Sequence, residues 1–387
     1  MIILEDKKNC CGCGACVQVC PKHCVSLFED DEGFLYPQTQ VDICVNCHLC
    51  EQVCPVLETR KGTAPLHTYA VKNRNDDIRL KSSSGGVFTL LAEKVLQQSG
   101  IVFGARFDEN WEVVHDYTDS VEGLSLFRGS KYVQSRMGNS YVKAKSFLKE
   151  GRMVLFSGTP CQIAGLKIFL KKEYANLLTV DFLCHGVPAP KVWRMYLAET
   201  RLRYAVDNRT QIREVNFRLK KTGWKNFSIG IDFYSGLYVS VFRKDLFMQA
   251  FLADLILRPS CYDCSFKRGK SGSDITIGDY WNVDAILPTF DDDKGVSLVL
   301  VNTEKGEIEK NTFLHYADCL ETGLKPEAMC YNGGFKEKIE IPLNRKLFFS
   351  DLEHSIYVSP LMEKYCKQAS GFFFRIKCLA RKIRNKI

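Results

Sequence analysis

The sequence lacks any apolar run of about eighteen residues, the length that a helix needs to cross a bilayer. Its opening residues, MIILEDKKNC, are charged and contain no apolar segment typical of a secretory signal. It also lacks low-complexity tracts and the GxGxxG fingerprint of dinucleotide-binding turns. We therefore expect a soluble cytoplasmic protein with reduced cysteines and without a standard Rossmann site.

Cysteine is abundant, with 18 in 387 residues. Eight of these cysteines fall in two runs with the same spacing, CxxCxxCxxxCP. This spacing is typical of ferredoxins with two 4Fe-4S clusters, in which the fourth cysteine of each run ligates the other cluster. Cluster A is therefore assigned to Cys10, Cys13, Cys16 and Cys54. Cluster B is assigned to Cys44, Cys47, Cys50 and Cys20.

Two other uses of these cysteines fit the sequence less well. A structural zinc site takes four ligands from two CxxC-like turns, whereas each run here offers four cysteines followed by a proline. Disulfides require an oxidising compartment, and the sequence carries no secretory signal. Cys11 and Cys24 do not fit the spacing, and we expect them to be packing residues.

The net charge of +8 is unevenly distributed along the chain. Residues 1–60 hold four basic and nine acidic residues, so the remainder carries a charge of +13. This asymmetry is either ordinary scatter or a means of attracting an anionic cofactor, substrate or redox partner to the basic part. The basic residues are dispersed and accompany no recognition motif, so we expect no nucleic-acid partner.

The order of apolar and amphipathic segments predicts two domains and a tail. Residues 1–60 are expected to form an α+β ferredoxin-like domain with a hairpin between the cysteine runs, from Cys24–Phe28 and Gly33–Tyr36. A linker over residues 57–65 precedes a larger α/β domain over residues 66–345.

Strands alternate with helices in the larger domain. The predicted strands are Thr68–Val71, Ile101–Ala105, Met153–Phe156, Leu177–Leu183, Asp274–Tyr280 and Val296–Val301, with a β-rich stretch over residues 214–242. The predicted helices are Gly86–Gln98, Ser140–Lys149, Cys161–Leu170 and Leu246–Ile256.

The tail over residues 346–387 ends in a basic amphipathic helix over residues 371–387. Such a helix either packs on its own domain, remains solvated, or makes a peripheral contact with an anionic membrane surface.

Three further features of the larger domain bear on chemistry. The turns Ser82–Gly86 and Gly158-Thr159 precede helices, where backbone N–H groups bind phosphate or simply form caps. Four cysteines at predicted strand and helix ends could hold a third 4Fe-4S cluster or a zinc ion, form a redox-active CxxC, or remain free thiols; they are Cys161, Cys184, Cys261 and Cys264. His185 is either a proton donor near a reduced ring or a structural histidine. The other cysteines, Cys319, Cys330, Cys366 and Cys378, are isolated.

Several motifs together give the chain a specific resemblance. They are Ser82-Ser-Ser-Gly-Gly-Val-Phe88, Gly129-Ser-Lys-Tyr-Val-Gln-Ser135, Ser157-Gly-Thr-Pro-Cys-Gln162, Asp181-Phe-Leu-Cys-His-Gly186, Cys261-Tyr-Asp-Cys264 and Ser273-Asp-Ile-Thr-Ile-Gly-Asp-Tyr-Trp281. In this order they resemble the coenzyme F420 hydrogenase/dehydrogenase beta-subunit family, and the resemblance extends from residue 1 to roughly residue 300.

The resemblance implies an iron–sulfur flavoprotein that holds FAD in the larger domain. By matching motifs, the residues that line the flavin would be Ser82, Ser83, Ser84, Gly85, Gly86, Lys131, Gln134, Gly158 and Thr159. Asp279 would lie near the site, and His185 and Asp279 are the candidate catalytic residues. Some relatives hold a cluster in this domain, which favours the cluster among the alternatives for Cys161, Cys184, Cys261 and Cys264.

These observations together predict an FAD-dependent oxidoreductase that moves electrons between 4Fe-4S clusters and an organic substrate or the deazaflavin coenzyme F420. The expected partners are ferredoxin or another redox protein, or coenzyme F420, together with a small-molecule substrate. Two alternatives are a non-catalytic electron-transfer subunit of a larger complex, and a surface-polysaccharide biosynthesis protein whose chemistry is unassigned.

Overall fold

The computed structural model describes residues 1–58, 60–204, 211–324 and 332–366. Cys330, Cys378 and the basic helix expected over residues 371–387 lie outside the described residues. In the described part of the chain, no helix is both long and apolar enough to cross a membrane.

The first 58 residues contain two short helices and a hairpin. The helices are α1 (Ala15–Val19) and α2 (Leu49–Gln52), and the strands β1 (Val25–Glu29) and β2 (Leu35–Thr39) pair in antiparallel fashion. The hairpin turns because the Asp30 carboxylate accepts hydrogen bonds from two backbone N–H groups, those of Glu32 and Phe34. The hairpin expected between the cysteine runs is therefore confirmed, with ends shifted by one to three residues.

The rest of the chain is built on a mixed sheet of eight strands in the order β13-β3-β12-β11-β7-β6-β4-β5. In chain order these strands are β3 (His67–Asn73), β4 (Ile101–Phe107), β5 (Val113–Thr118), β6 (Val154–Gly158), β7 (Leu177–Phe182), β11 (Ile275–Asp279), β12 (Ser297–Val301) and β13 (Ala317–Glu321). The four central strands, β4, β6, β7 and β11, run parallel, and antiparallel strands flank them on both sides.

Helices cover both faces of this sheet. The helices of the larger part are α3 (Asp76–Lys81), α4 (Val87–Gln97), α5 (Leu124–Phe127), α6 (Ser140–Lys149), α7 (Pro160–Leu170), α8 (Pro190–Tyr204), α9 (Leu246–Leu252), α10 (Val283–Ile286), α11 (Glu304–Tyr316) and α12 (Arg345–Glu353). Alternate strand residues point to opposite faces, so that Phe103 packs with α6 and α7 while Val102 packs with α4 and α11. The central strands are therefore buried on both sides, as parallel sheets require.

A second core lies beside the main sheet. Three antiparallel strands, β8 (Ile212–Leu219), β9 (Ser228–Phe233) and β10 (Gly236–Val241), pack with α8, α9 and α12. Trp193 of α8 lies at the centre of this core and contacts the rings of Phe217 and Phe247.

The alternation of strands and helices agrees with the sequence, but some elements differ. β5, α8, α11 and β13 are not expected from the sequence pattern. The helix expected over Leu246–Ile256 ends at Leu252, because Asp254 adopts a left-handed conformation with φ of 60°. A left-handed residue directly after a helix stops its propagation.

The N-terminal residues pack directly onto both cores. Cys11, Cys13 and Ala15 belong to the core that α6 and α7 form, whereas Phe34 and Tyr36 of the hairpin belong to the core around Trp193. The expected linker is also in contact with the larger part, since Arg60 donates to the Ser271 carbonyl and Gly62 lies against the Arg268 carbonyl.

Replacing Trp193 with alanine should leave a cavity in the second core. We expect Trp193→Ala to lower the free energy of unfolding by about 3–5 kcal/mol, because a large side chain with four ring neighbours is removed. Chemical denaturation would measure the change. Leu202→Ala on the same helix is the control, because Leu202 is 74% exposed and should change stability by less than about 0.5 kcal/mol. Equal losses in both variants would contradict this description of the core.

Candidate functional site

The chemistry-bearing turns of the larger part meet at one edge of the main sheet. Gly158 ends β6, Phe182 ends β7 and Asp279 ends β11, and these three strands run parallel. Ser297 at the start of β12 pairs with Asp279, which brings the turn after α3 to the same edge. Open α/β sheets bind their ligands at the carboxyl ends of the parallel strands.

The Ser82–Gly86 turn is tied closely to this edge. The Gly85 N–H donates to Ser297 Oγ at 2.9 Å, and the Gly85 carbonyl accepts from the Asn73 N–H at 2.8 Å. A methyl group at Gly85 would collide with the Val71 carbonyl. Gly86 has a φ of 86°, which is favourable only for glycine, and α4 begins directly after it. The two glycines therefore position the N-terminus of α4.

Residues 128–131 lie across the N-terminus of α4. Arg128 Nε donates to Thr89 Oγ1 at 3.2 Å, and the hydroxyls of Ser83 and Ser130 lie 2.8 Å apart. Lys131 Nζ donates to two backbone carbonyls, and no carboxylate of the described residues pairs with it. Burial lowers the pKa of Lys131 to about 7. A lysine in this position can help to bind an anionic group at the helix N-terminus.

Asp279 is held by a buried arginine. Both oxygens of its carboxylate accept from the Arg218 guanidinium, at 3.0 and 3.1 Å, and Oδ1 also accepts from Trp224 Nε1 at 2.9 Å. Arg218 donates further to the Ser83 carbonyl, which links Asp279 to the Ser82–Gly86 turn. A carboxylate with three donors is suited to orienting neighbouring groups.

His185 lies on the other side of the segment 332–334. Asn332 Nδ2 donates to the Asp279 carbonyl, whereas Gly333 packs against His185 Nδ1. His185 Nε2 lies 2.6 Å from the Asp254 carboxylate. The structure therefore does not bring the two expected catalytic side chains into direct contact.

Two other residues expected near a flavin have partners within the protein. Thr159 and Gln162 form a capping box at the start of α7, in which the Thr159 N–H donates to Gln162 Oε1 at 2.9 Å. Gln134 Nε2 donates to the Cys11 carbonyl at 3.0 Å. Gln134 therefore connects the first cysteine run to the sheet edge.

His115 was not expected from the sequence. It lies on β5 and is 6% exposed, its ring stacks on Phe156 with centroids 4.9 Å apart, and Cε1 is 3.7 Å from a Cβ built at Gly158. Neither ring nitrogen has a hydrogen-bond partner among the residues that the structure describes. Burial lowers the pKa of His115 to about 4, so that the ring stays neutral near pH 7.

The cysteines of the N-terminal residues form two groups. Cys20, Cys44, Cys47 and Cys50 line one small cavity, and they are the four residues assigned to cluster B. In the other group, burial and then the charges of Cys10 and Cys54 raise the pKa of Cys16 to about 12. Cys24 Sγ lies 3.3 Å from Cys20 Sγ.

The four cysteines of the larger part also influence one another. Burial raises the pKa of Cys184, and Cys261, Cys161 and Cys264 add to that shift. Burial, Cys264 and Cys161 likewise raise the pKa of Cys261 to about 12. No three His, Cys, Asp or Glu side chains of the described residues converge on one ion. Ligands of a 4Fe-4S cluster bind four separate irons, so they need no such convergence.

Three buried side chains of this region, His115, Arg218 and Arg258, carried no recognisable signal in the sequence. Arg258 precedes the Cys261-Cys264 pair by three residues. This proximity indicates a role for Arg258 only once the fold is known. The partners of the two arginines are distant along the chain, as between Arg218 and Asp279, and the His115 ring stacks on Phe156.

Comparison with known proteins identifies two families along the chain. Residues 151–315 match the family described as the C terminus of the "Coenzyme F420 hydrogenase/dehydrogenase, beta subunit". Residues 9–57 match the family described as "4Fe-4S dicluster domain". These matches agree with the resemblance seen in the sequence and with its cysteine spacing.

Individual relatives also match parts of this chain. The F subunit of the F(420)H(2) dehydrogenase of Methanosarcina mazei is 25% identical over 187 residues, which are 45% of this chain and 53% of the relative. The chain thus spans about half of that relative's length. An uncharacterized protein of Methanocaldococcus jannaschii is 24% identical over 346 residues, covering 78% of this chain and 86% of the relative.

A solved structure also aligns with this chain. It is a chain of the F420-reducing [NiFe] hydrogenase complex from Methanosarcina barkeri, with a TM-score of 0.47 and 17% identity. The alignment covers 76% of this chain and 94% of that chain.

The buried neutral His115 should make stability depend on pH. Its folded pKa of about 4 lies below the unfolded value, so the unfolded state binds more protons between about pH 4 and 6.5. Stability should therefore fall as the pH decreases through that window, by about 2 kcal/mol from pH 7 to pH 5 for this group. His115→Phe should remove that part of the decrease.

Thermal unfolding of wild type and variant at pH 7 and pH 5 would test this. His354→Phe is the control, because His354 is exposed and its replacement should leave the pH dependence unchanged. An identical decrease in wild type and His115→Phe would contradict the neutral buried state.

Proposed function

We propose that this chain, in which residues 151–315 match the coenzyme F420 hydrogenase/dehydrogenase beta-subunit family and residues 9–57 match the 4Fe-4S dicluster domain, is an iron–sulfur flavoprotein oxidoreductase. The observation that carries the proposal is the packing of the first cysteine run onto the sheet edge that holds four more cysteines and Lys131. Cys13 contacts Gly165 of α7, where a Cβ would lie 3.1 Å from Cys13 Sγ. The cysteines that could hold one-electron carriers and the lysine that could bind an anionic cofactor therefore lie in contacting parts of the protein.

The cysteine groups fit 4Fe-4S clusters in their chemistry. Burial and mutual charge raise the pKa of several of these thiols, including Cys16 and Cys261, so that they would remain protonated without metal. Bound iron would hold them as thiolates, as cluster ligation requires. We assign Cys10, Cys13, Cys16 and Cys54 to cluster A, and Cys20, Cys44, Cys47 and Cys50 to cluster B. A third cluster is assigned to Cys161, Cys184, Cys261 and Cys264.

Lys131 supports an FAD site at the start of α4. It is a half-buried lysine that only two backbone carbonyls of the described residues satisfy, and it lies beside the Ser82–Gly86 turn through the contact between Ser83 and Ser130. These groups would hold a phosphate of FAD. The clusters when bound would carry single electrons, and FAD when bound would exchange an electron pair or hydride with an organic substrate or a deazaflavin such as coenzyme F420.

The side chains around this site would hold the bound groups in position and exclude water, and they would not themselves react. Arg218 binds both Asp279 and the Ser82–Gly86 turn and so holds them together. The His115 ring beside Gly158 stays uncharged near pH 7, because burial lowers its pKa. At the far side of the segment 332–334, the Asp254 carboxylate orients the ring of His185 through Nε2. A redox protein such as ferredoxin would bind near cluster B, where Cys47 is exposed.

A second candidate function is electron transfer within a larger complex without catalysis by this chain. It is favoured by the partners that Gln134, Thr159 and Asp279 already have within the protein. In that case the chain would bind clusters and flavin or clusters alone, and it would have no substrate of its own.

The iron content of anaerobically purified protein tests the clusters. We expect about twelve irons per chain, for three 4Fe-4S clusters. Cys184→Ser should lower this to about eight, because it removes one ligand of the third cluster. Cys319→Ser is the control, since Cys319 lies on β13, away from the assigned ligands, and should leave the iron content unchanged. About eight irons in the wild type would restrict the clusters to the N-terminal residues.

The flavin content of the same preparation tests the FAD site. We expect about one FAD per chain, and Lys131→Met should release most of it, because the contact between the Lys131 ammonium and a phosphate is lost. Lys81→Met is the control, since Lys81 precedes the same turn but is exposed. Absence of flavin from the wild type after incubation with FAD would reject the flavoprotein and favour electron transfer through clusters alone.

A further inference from the structure

Arg258 is a fully buried cation placed between the two cysteine-rich parts of the molecule. Its side chain is 0% exposed, and within the described residues it forms no ion pair with a carboxylate. Nε donates to the Cys10 carbonyl at 2.8 Å, and Nη2 donates to the Leu35 carbonyl at 3.0 Å. Nη1 donates to Gln134 Oε1 at 2.7 Å. The guanidinium is thus bound to neutral oxygens on nearly every side.

The remaining hydrogen bond of the guanidinium is to a sulfur. Arg258 Nη2 lies 3.6 Å from Cys10 Sγ, within hydrogen-bond range for sulfur. The guanidinium also lies over the rings of Tyr36 and Phe34, 4.2 and 5.2 Å from their centroids. Gly12 makes room for this arrangement, because a Cβ there would lie 2.9 Å from Arg258 Nη1 and 2.6 Å from Gln134 Nε2. Contacts from three separate segments therefore fix the direction of the guanidinium.

The same arginine is close to the cysteines of the larger part. The Cys261 N–H donates to the Arg258 carbonyl at 2.9 Å. Arg258 also lies near enough to Cys161 and Cys261 for its positive charge to act on both thiols. Arg258 therefore lies between the ligand set of cluster A and that of the third cluster.

A buried cation without a carboxylate is costly, so it calls for a negative charge close by. A 4Fe-4S cluster with four thiolate ligands is negatively charged, and reduction adds one more negative charge. A fixed positive charge and an N–H donor at a ligand sulfur stabilise the reduced form more than the oxidised form. The potential of the cluster then rises.

We propose that Arg258 raises the reduction potential of cluster A. Cluster A is the cluster of the N-terminal pair that faces the larger part of the protein. The proposal rests on the cluster assignment of the proposed function, but it does not depend on FAD. No lysine or arginine side chain of the described residues hydrogen-bonds a sulfur of the cluster B set, whose Cys44 Sγ lies 3.9 Å from Asn46 Oδ1.

The chain offers a matched control in Arg345. This arginine also joins the N-terminal residues to the larger part, through two bonds to the Glu32 carboxylate and one to the Leu257 carbonyl. It stacks on Phe349 with its guanidinium 4.5 Å from the ring centroid. It hydrogen-bonds no cysteine of the described residues, so its replacement tests the loss of the junction without a change of charge at a sulfur.

The test is a redox titration of the full chain, in which the electron paramagnetic resonance signals of the reduced clusters are measured at each potential. In Arg258→Gln one midpoint potential should fall, in Arg258→Lys it should fall less because a positive charge is kept, and in Arg345→Gln none should change. Cys47→Ser, which alters a ligand of cluster B, identifies the cluster B signal. The potential that Arg258 controls should belong to the other N-terminal cluster.

Three outcomes would overturn the proposal. They are unchanged potentials in Arg258→Gln with full iron content, an equal fall in Arg345→Gln, and a shift confined to the signal that Cys47→Ser alters. Loss of cluster A from both Arg258 variants, with full iron in Arg345→Gln, would make Arg258 an assembly residue and would also reject a tuning role. Wild-type protein with clusters and no flavin would refute only the FAD part of the proposed function.

Discussion

Close packing of the first cysteine run onto α7 is the contact on which the arrangement of the whole molecule depends. Cys13 can approach the helix because position 165 is glycine, and Arg258 can reach Cys10 because position 12 is glycine. Either glycine replaced by a larger residue would separate two cysteine groups. Electron transfer between carriers requires short distances, so the proposed function depends on this junction.

The buried cations of the structure differ in what balances their charge. Arg218 has the Asp279 carboxylate, and Lys220 has three carbonyls at 2.7–2.9 Å, which crosslink loops that meet at the sheet edge. Arg258, which is fully buried, has only neutral oxygens and a sulfur among the described residues, and the half-buried Lys131 has only two carbonyls. A buried charge without an opposite charge destabilises the folded chain. Both of these cations lie where the proposed anionic groups would bind, so binding and folding stability should be coupled.

The sequence predicted the elements well and the contacts between them poorly. Cysteine spacing is a local property, so the two runs and the hairpin between them could be read directly. Six of the eight strands of the main sheet followed from apolar periodicity, whereas β5 and β13 did not. Arg258 was not recognised, and Gln134 was expected beside a flavin rather than on the Cys11 carbonyl, because their partners, Cys10 and Cys11, lie more than a hundred residues away. α8 was missed for a similar reason, since its buried face is defined by strands that follow it.

The positions of the cysteine groups imply an order along the molecule. Cys47 is exposed among exposed apolar side chains, of which Val41 and Val45 are 62% and 57% exposed, so the cluster B set faces outward. The cluster A set contacts α7 and Arg258, and the third set begins at Cys161 on the same helix. The sheet edge with Lys131 follows. With the proposed cluster assignment, a carrier that docks from outside would meet cluster B first, and the positive charge of Arg258 at the next cluster would draw an electron inward.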